Sequence, residues 1–277
     1  MGDLRSLADL SDEERTAAEA LLFRLADDEF VLAERYTEWQ VIAPTLESDL
    51  ALSNIAQDEL GHARVWYDAL NRIGHTEQSL VWERDPGSFR HSTLVELPFE
   101  EGDWADAIVR SYLYDVAEDL RLDAVAESGV HELVDPIEKL RSEEEYHLQH
   151  AQQWLERLCD DADGLDHVQD ATDRLFEHAL TLWVPGPEAA AIEEYGLRGD
   201  SLASMRRQWL DTVGSFLESL GVTMPLDPED DPADHRPAAV GRDGSHTDHW
   251  PRLHDDLTET YRELDRSDVR RLRGESA

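Results

Sequence analysis

Two long segments of this chain put a glutamate and a histidine, three positions apart, in the middle of an otherwise apolar helical stripe. In the stretch AQDELGHARVW, Ala56 to Trp66, a helical period aligns Leu52, Ile55, Trp66 and Ala69 on one face with Glu59 and His62 between them. The same stripe returns 85 positions later as Ile137, Leu140, Glu144, His147, Ala151 and Trp154. Burying an ionised carboxylate without a partner costs several kcal/mol. Two such stripes therefore force a choice: the helices turn these faces to solvent, or the fold brings something cationic between them. The matched spacing also reads as an internal duplication.

The rest of the chain supplies helices to flank that pair. Ser11 with Glu14 forms a capping-box start for a helix from about Asp12 to Val41, stopped by Pro44. A second runs from about Leu46 to Ile73 and ends at Gly74. Asp103 opens a third, about Trp104 to Ser128, and Pro136 sits in the first turns of a fourth that ends near Cys159. Further helical stretches fall near His167 to Trp183 and Ser201 to Leu220. From Gly74 to Gly102 the prolines and glycines leave no sustained period, which predicts a long connection of a length that suits a crossover between helix pairs. Period-two alternation occurs only in short runs such as Ser92 to Leu97. The Pro-, Gly- and Asp-rich segment 225–244 reads as a flexible lead into a last helix at about 246–266, with RSDVRRLRGESA as a fraying tail. The expectation is an all-α, single domain over 1–277: a core four-helix bundle at about 12–160 and added helices at about 166–222. The helices after Asp166 exceed what a four-helix core needs, which predicts an extended apolar surface.

In a chain with 63 acids and 12 histidines, a single Glu-x-x-His means little. The signal sharpens with its partners. Glu29 lies on the first helix among Leu22, Ala26, Leu32 and Tyr36, and Asp115 lies on the third among Ile108, Tyr112 and Leu122. The set Glu29, Glu59, His62, Asp115, Glu144 and His147 is one acid from each of two helices and Glu-x-x-His from each of the other two. That is the pattern of ferritin-like di-iron carboxylate bundles, with Asp115 where a glutamate is usual. Its four carboxylates, about −4 in charge, balance two divalent irons. Glu118 and Asp119, one turn after Asp115, are alternative ligands on the third helix. Solvent-facing acids with satisfied histidines are the other reading of the set.

Composition removes several functions. The formal net charge of −38 repels phosphates, so nucleic acid and anionic membranes are disfavoured partners. Acids spread along the whole chain fit a surface adapted to high salt. Cys159, the sole cysteine, can hold neither an intrachain disulfide nor a four-thiolate iron–sulfur cluster, so redox partners must be other proteins. The N-terminal MGDLRSLADLSDEER has no long apolar core and no run of about 18 apolar residues occurs, which predicts a cytoplasmic protein. No glycine-rich phosphate loop or nucleophile elbow is present. Trp154 and Leu158 of HAQQWLERL read as core. In GSHTDHW, His246 and His249 could hold a metal, but no third ligand is evident nearby; a packed helix start capped by Ser245 or Thr247 is the favoured reading.

EWQVIAPTLESDLALSNIAQDELGHAR, RSYLYDVAEDLRL, EEEYHLQHAQQWLERL and GSHTDHWPRL, in this order, resemble the PaaC subunits of the ring-hydroxylating phenylacetyl-CoA oxygenase (phenylacetyl-CoA epoxidase), in the PaaA/PaaC family. The likeness runs from about Leu21 to Leu264, and the terminal GxHTxH with the WLERL after the second Glu-x-x-His makes it specific; here HTDH replaces the more usual HTEH. The resemblance implies a ferritin-like subunit of a multicomponent monooxygenase of aerobic phenylacetate breakdown. It implies a catalytic PaaA-type partner, an acyl-CoA substrate for the complex, and electrons from a separate NAD(P)H-dependent flavin and iron–sulfur reductase. Many PaaC chains lack part of the ligand set, whereas this one keeps all six residues. Three readings follow: a PaaC-like subunit with its own di-iron centre, Trp66 and Tyr112 lining a dry pocket; a non-catalytic scaffold for PaaA; or a stand-alone ferritin-like oxidase.

Overall fold

The computed structural model describes residues 4–39, 43–99, 102–227 and 229–263. Along the chain the α-helices are α1 (Asp12–Trp39), α2 (Leu46–Arg72), α3 (Thr93–Glu96), α4 (Trp104–Ala126) and α5 (His131–Val134), then α6 (Ile137–Leu158), α7 (Ala162–Ala179), α8 (Ala189–Glu194), α9 (Leu202–Ser219) and α10 (His249–Glu263). Among the described residues the only strand-like feature is an isolated bridge between Arg5 and Val130. The all-α expectation holds, and no described helix is long and apolar enough to cross a membrane.

The helix starts follow from local side-chain chemistry. The Ser11 amide donates to Glu14 Oε2 at 2.9 Å and the Glu14 amide to Ser11 Oγ at 3.3 Å, so the capping box forms as read. Thr45 Oγ1 accepts from the Ser48 amide to cap α2, and Asp103 with Asp106 makes a reciprocal box at α4. Gly74, at φ 113°, takes the left-handed turn after α2 that a Cβ would oppose. Thr247 Oγ1 accepts from the His249 amide at the start of α10.

Several boundaries differ from the sequence reading. α7 begins at Ala162, five residues before the expected start at His167, because Asp161 accepts from the Gly164 amide at 2.9 Å and caps it there. Its continuation, Leu180–Trp183, tightens to a 3-10 turn. The 73–103 connection is a chain of short turns: a π-helical turn at Gln78–Trp82, a 3-10 turn at Pro86–Ser88 and α3. The alternation of Ser92 to Leu97 is thus a single helical turn, capped by Ser92 Oγ accepting from the Leu94 amide. The expected ends of α1 at Val41 and of the last helix at 266, and the tail RSDVRRLRGESA, lie outside the described residues.

α1 packs along α2 as one hairpin and α4 along α6 as a second, and the two hairpins face each other across the bundle interior. α4 is buried nearly all round, the mark of a helix covered on every side. α7 and α9 account for its outer face. Trp209 of α9 donates Nε1–H to the Leu113 carbonyl at 2.8 Å and stacks on Phe176 of α7, while Tyr112 packs on Phe216. Among the described residues the added helices turn apolar faces onto α4 rather than outward. Leu4, Leu46, Leu50 and Tyr146 are the exposed large apolar side chains among the described residues.

Candidate metal centre

α1 carries three consecutive acids, Asp27, Asp28 and Glu29, all with no solvent exposure. The fold neutralises the first two with protein groups. Asp27 receives both Nη atoms of Arg84 at 2.6 and 2.8 Å, the Tyr67 hydroxyl at 2.9 Å and the Arg90 amide at 2.7 Å. Asp28 receives Arg121 at 2.5 Å, Arg242 at 2.6 Å and the Ser92 amide at 2.7 Å. Neither oxygen of Glu29 has a hydrogen-bond partner. An acid left bare beside two that are fully paired has to share a proton with its neighbours or meet a cation of another kind.

Glu29 faces the two Glu-x-x-His pairs. His62 Nδ1 lies 3.1 Å from Glu144 Oε1 and 3.9 Å from both Glu29 Oε2 and Glu59 Oε2. His147 Nδ1 lies 3.5 Å from Glu144 Oε1 and 3.6 Å from Glu59 Oε1, and the two rings are 6.2 Å apart. Glu59 and Glu144 thus sit between the histidines, and ligand atoms of Glu29, Glu59, His62 and Glu144 fall within 4.8 Å of one another. On α4, Asp115 keeps Oδ1 without a partner while Oδ2 accepts from Ser111 Oγ at 2.8 Å. Glu118 is also buried but is ion-paired with Arg121, and Asp119 is only half-buried.

Electrostatics show the strain of this arrangement. Burial, then Glu29 and Glu144, pushes the Glu59 carboxyl well above its usual range. Burial, then Glu144, does the same to Asp115. Burial also opposes ionisation of Glu144, but His147 and His62 prevail and hold it at about 2. Burial disfavours the His147 imidazolium, yet Glu144 and Asp58 push that ring up to about 10, and His62 is raised against burial by Glu144 and Glu29.

The outer edges of both rings are held by acids absent from the sequence-derived set. His62 Nε2 lies 3.0 Å from Glu143 Oε2 on α6, and His147 Nε2 lies 3.4 Å from Asp58 Oδ2 on α2. Each acid immediately precedes the glutamate of its own helix and grips the histidine of the other. The duplication carried the clue, since Asp58 and Glu143 are themselves 85 positions apart. Lys139, the only lysine, pairs with Glu143 at 2.6 Å. Of the lining residues expected, Trp66 is wholly buried one turn after His62, while Tyr112 faces Phe216. The tyrosine hydroxyls in the field of the site acids are Tyr36, beside Asp115 and Glu59, and Tyr114, beside Glu29.

The donor set fits a pair of divalent cations. Both oxygens of Glu29, Glu59 and Glu144, Oδ1 of Asp115 and Nδ1 of His62 and His147 are buried without hydrogen-bond partners. Divalent ions held there would satisfy these atoms, with Glu29, Glu59, His62 and Glu144 converging most closely and Asp115 and His147 beside them, and outer carboxylates on ligating histidines are the usual support for such a centre.

Comparisons with known proteins show the family of the chain. Residues 1–268 match the family described as "Phenylacetic acid catabolic protein". The chain is 31% identical over 233 residues to the PaaC component of the 1,2-phenylacetyl-CoA epoxidase of Escherichia coli (strain K12), covering 83% of this chain and 90% of that one. It is 24% identical over 196 residues to the PaaA component of the same enzyme, covering 69% of this chain and 62% of that one. Over nearly its whole length, then, the chain belongs to the phenylacetic acid catabolic (PaaA/PaaC) family.

Proposed function

We propose that this chain is the PaaC-type subunit of a phenylacetyl-CoA epoxidase, that it pairs with a PaaA-type subunit, and that it holds two irons on Glu29, Glu59, His62, Asp115, Glu144 and His147. The greater likeness to the PaaC component than to the PaaA component supports the first part. The metal centre rests on the buried, unpartnered donor atoms that converge between the two helix hairpins. A di-iron pair, when bound, supplies the electrons that dioxygen chemistry needs, and these reach it from a separate reductase.

The chain's own residues prepare the site. Glu143 and Asp58 accept from Nε2–H of His62 and His147, so that once the Nδ1 protons leave, both Nδ1 lone pairs are directed inward. Glu59 and Glu144, each near both histidines, are the acids positioned to be shared between two ions. Burial and the facing carboxylates keep the Tyr36 hydroxyl protonated beside Asp115 and Glu59. Trp66, Leu52, Ile55 and Ala63 close the α2 side against water.

Co-expression with a PaaA-type chain tests the whole proposal. The two chains should purify together and, with reductase, oxidise phenylacetyl-CoA. The complex should lose about two irons per copy of this chain when it carries Glu59→Ala and Glu144→Ala. Failure to co-purify removes the PaaC-type assignment, and an unchanged iron count removes the metal centre.

A further inference from the structure

His246 of the GSHTDHW segment has the third ligand that the local sequence does not show. Folding brings it onto the long connection, where His91 Nε2 lies 2.6 Å and His246 Nδ1 lies 2.8 Å from the same oxygen, Glu96 Oε2. The two imidazoles stack at 4.4 Å, and ligand atoms of all three side chains fall within 4.8 Å of one another. His91 and Glu96 have no solvent exposure, and the His246 side chain keeps 5%.

Hydrogen-bond accounting narrows what can hold the cluster together. His246 Nε2 lies 3.2 Å from the Phe89 carbonyl, which can only accept, so Nε2 carries a hydrogen. A neutral His246 ring then points the Nδ1 lone pair at Glu96 Oε2, so the contact is made either by a proton on Nδ1 or by an ion that both atoms ligate from one side, which draws them apart from 2.8 Å. Glu96 Oε1 is already occupied by the Thr247 amide at 2.6 Å. Nδ1 of His91 is buried without a partner in either case. An imidazole whose other nitrogen donates to a backbone carbonyl is the usual posture of a metal-bound histidine.

We infer that His91, Glu96 and His246 form a second, mononuclear site for a divalent transition ion of the zinc type. Two imidazoles and one carboxylate are a zinc donor set, leaving one tetrahedral position for water. Phe89 and Trp250 pack against the His91 ring and form its apolar wall. The ion joins segments about 150 residues apart, from the connection before α4 to the start of α10, beside the Arg35 guanidinium that holds the Glu96 carbonyl at 2.6 and 2.9 Å. Its role is to clamp the C-terminal segment over the end of the bundle, and it does not depend on the central site being loaded.

The test uses the full chain and zinc alone. In protein carrying Glu59→Ala and Glu144→Ala, which takes two carboxylates from the central site, Zn(II) should survive gel filtration, and adding His246→Ala should lower the retained zinc by one equivalent. In crystals of the unaltered protein, zinc-edge anomalous scattering should show a peak between the three side chains whether or not iron fills the centre. Less than half an equivalent retained, or retention unchanged by His246→Ala, or no anomalous peak, would overturn the site and leave a hydrogen-bonded cluster only. The crystal measurement decides the matter even where the triple variant fails to fold.

Discussion

At the scale of single residues, the contrast within Asp27-Asp28-Glu29 explains the most. Three adjacent carboxylates are equally buried, and arginines reach two of them but not the third. The six residues proposed as ligands were legible in sequence because each stands on an apolar stripe, where a charged or polar side chain is anomalous. Asp58 and Glu143 were not, because they are partly exposed acids in a chain full of acids, and only the repeat spacing marks them. Asp58→Ala and Glu143→Ala should each weaken Fe(II) binding by about 10–100-fold, while melting of the metal-free protein stays nearly the same; an equilibrium titration reads this, and unaltered affinity would mean that packing alone orients the rings. The site also sets a pH dependence. Glu59 and Asp115 have raised folded values, so their contribution is present below about pH 4, the unfolded range, and is lost as pH rises through the folded values. The raised histidines act in the same direction, their contribution being present below about 6.5 and lost on the way to the folded values, about 10 for His147. Glu144, held at about 2, is lost only in strong acid. Metal-free protein should therefore melt lower at pH 8 than at pH 5.5, and Fe(II) affinity should rise over the same interval as protons leave the ligands. A melting temperature that climbs with pH in chelator would contradict this.

At the scale of elements, the long helices α1 and α6 show that a periodic pattern of 28 or 22 residues is enough to place a helix from sequence. α5 and α8 were missed because four and six residues do not complete two turns, so no periodicity can announce them. The early start of α7 was hidden by the acids around its cap, since Asp160, Asp161 and Asp163 resemble one another until the Gly164 amide selects Asp161. The added helices were legible as helices, but their destination was not, because only the bundle reveals that α4 has an uncovered side. That covering is anchored at Trp209, which is wholly buried and hydrogen-bonded to the Leu113 carbonyl. Trp209→Ala should cost about 3–5 kcal/mol in a urea melt, and a loss under about 1 kcal/mol would mean that α7 and α9 are not part of the same cooperative core.

At the scale of the whole molecule, the charge imbalance is partitioned. The few cations include arginines used internally: Arg84, Arg121 and Arg242 are drawn in to neutralise Asp27, Asp28 and Glu118. The surface is left acidic, and the centre keeps carboxylates that no arginine hydrogen-bonds. Composition alone announced the acidity but could not show that some of the chain's arginines lie inside. The catalytic part of the proposed role depends on whether the bare acids hold metal. Anaerobic melting with and without Fe(II) decides that most directly, run on the natural chain and on Glu144→Ala, which removes a ligand from an otherwise apolar stripe. At about 100 times the dissociation constant, a ligand that binds only the folded state adds about 2.7 kcal/mol, equivalent to about 5–10 °C for a chain of this size. The natural chain should gain that shift with rising Fe(II), and Glu144→Ala should keep its fold and gain none. No shift in either protein would contradict a metal centre here and leave the six residues as the outline of a site that this subunit does not fill.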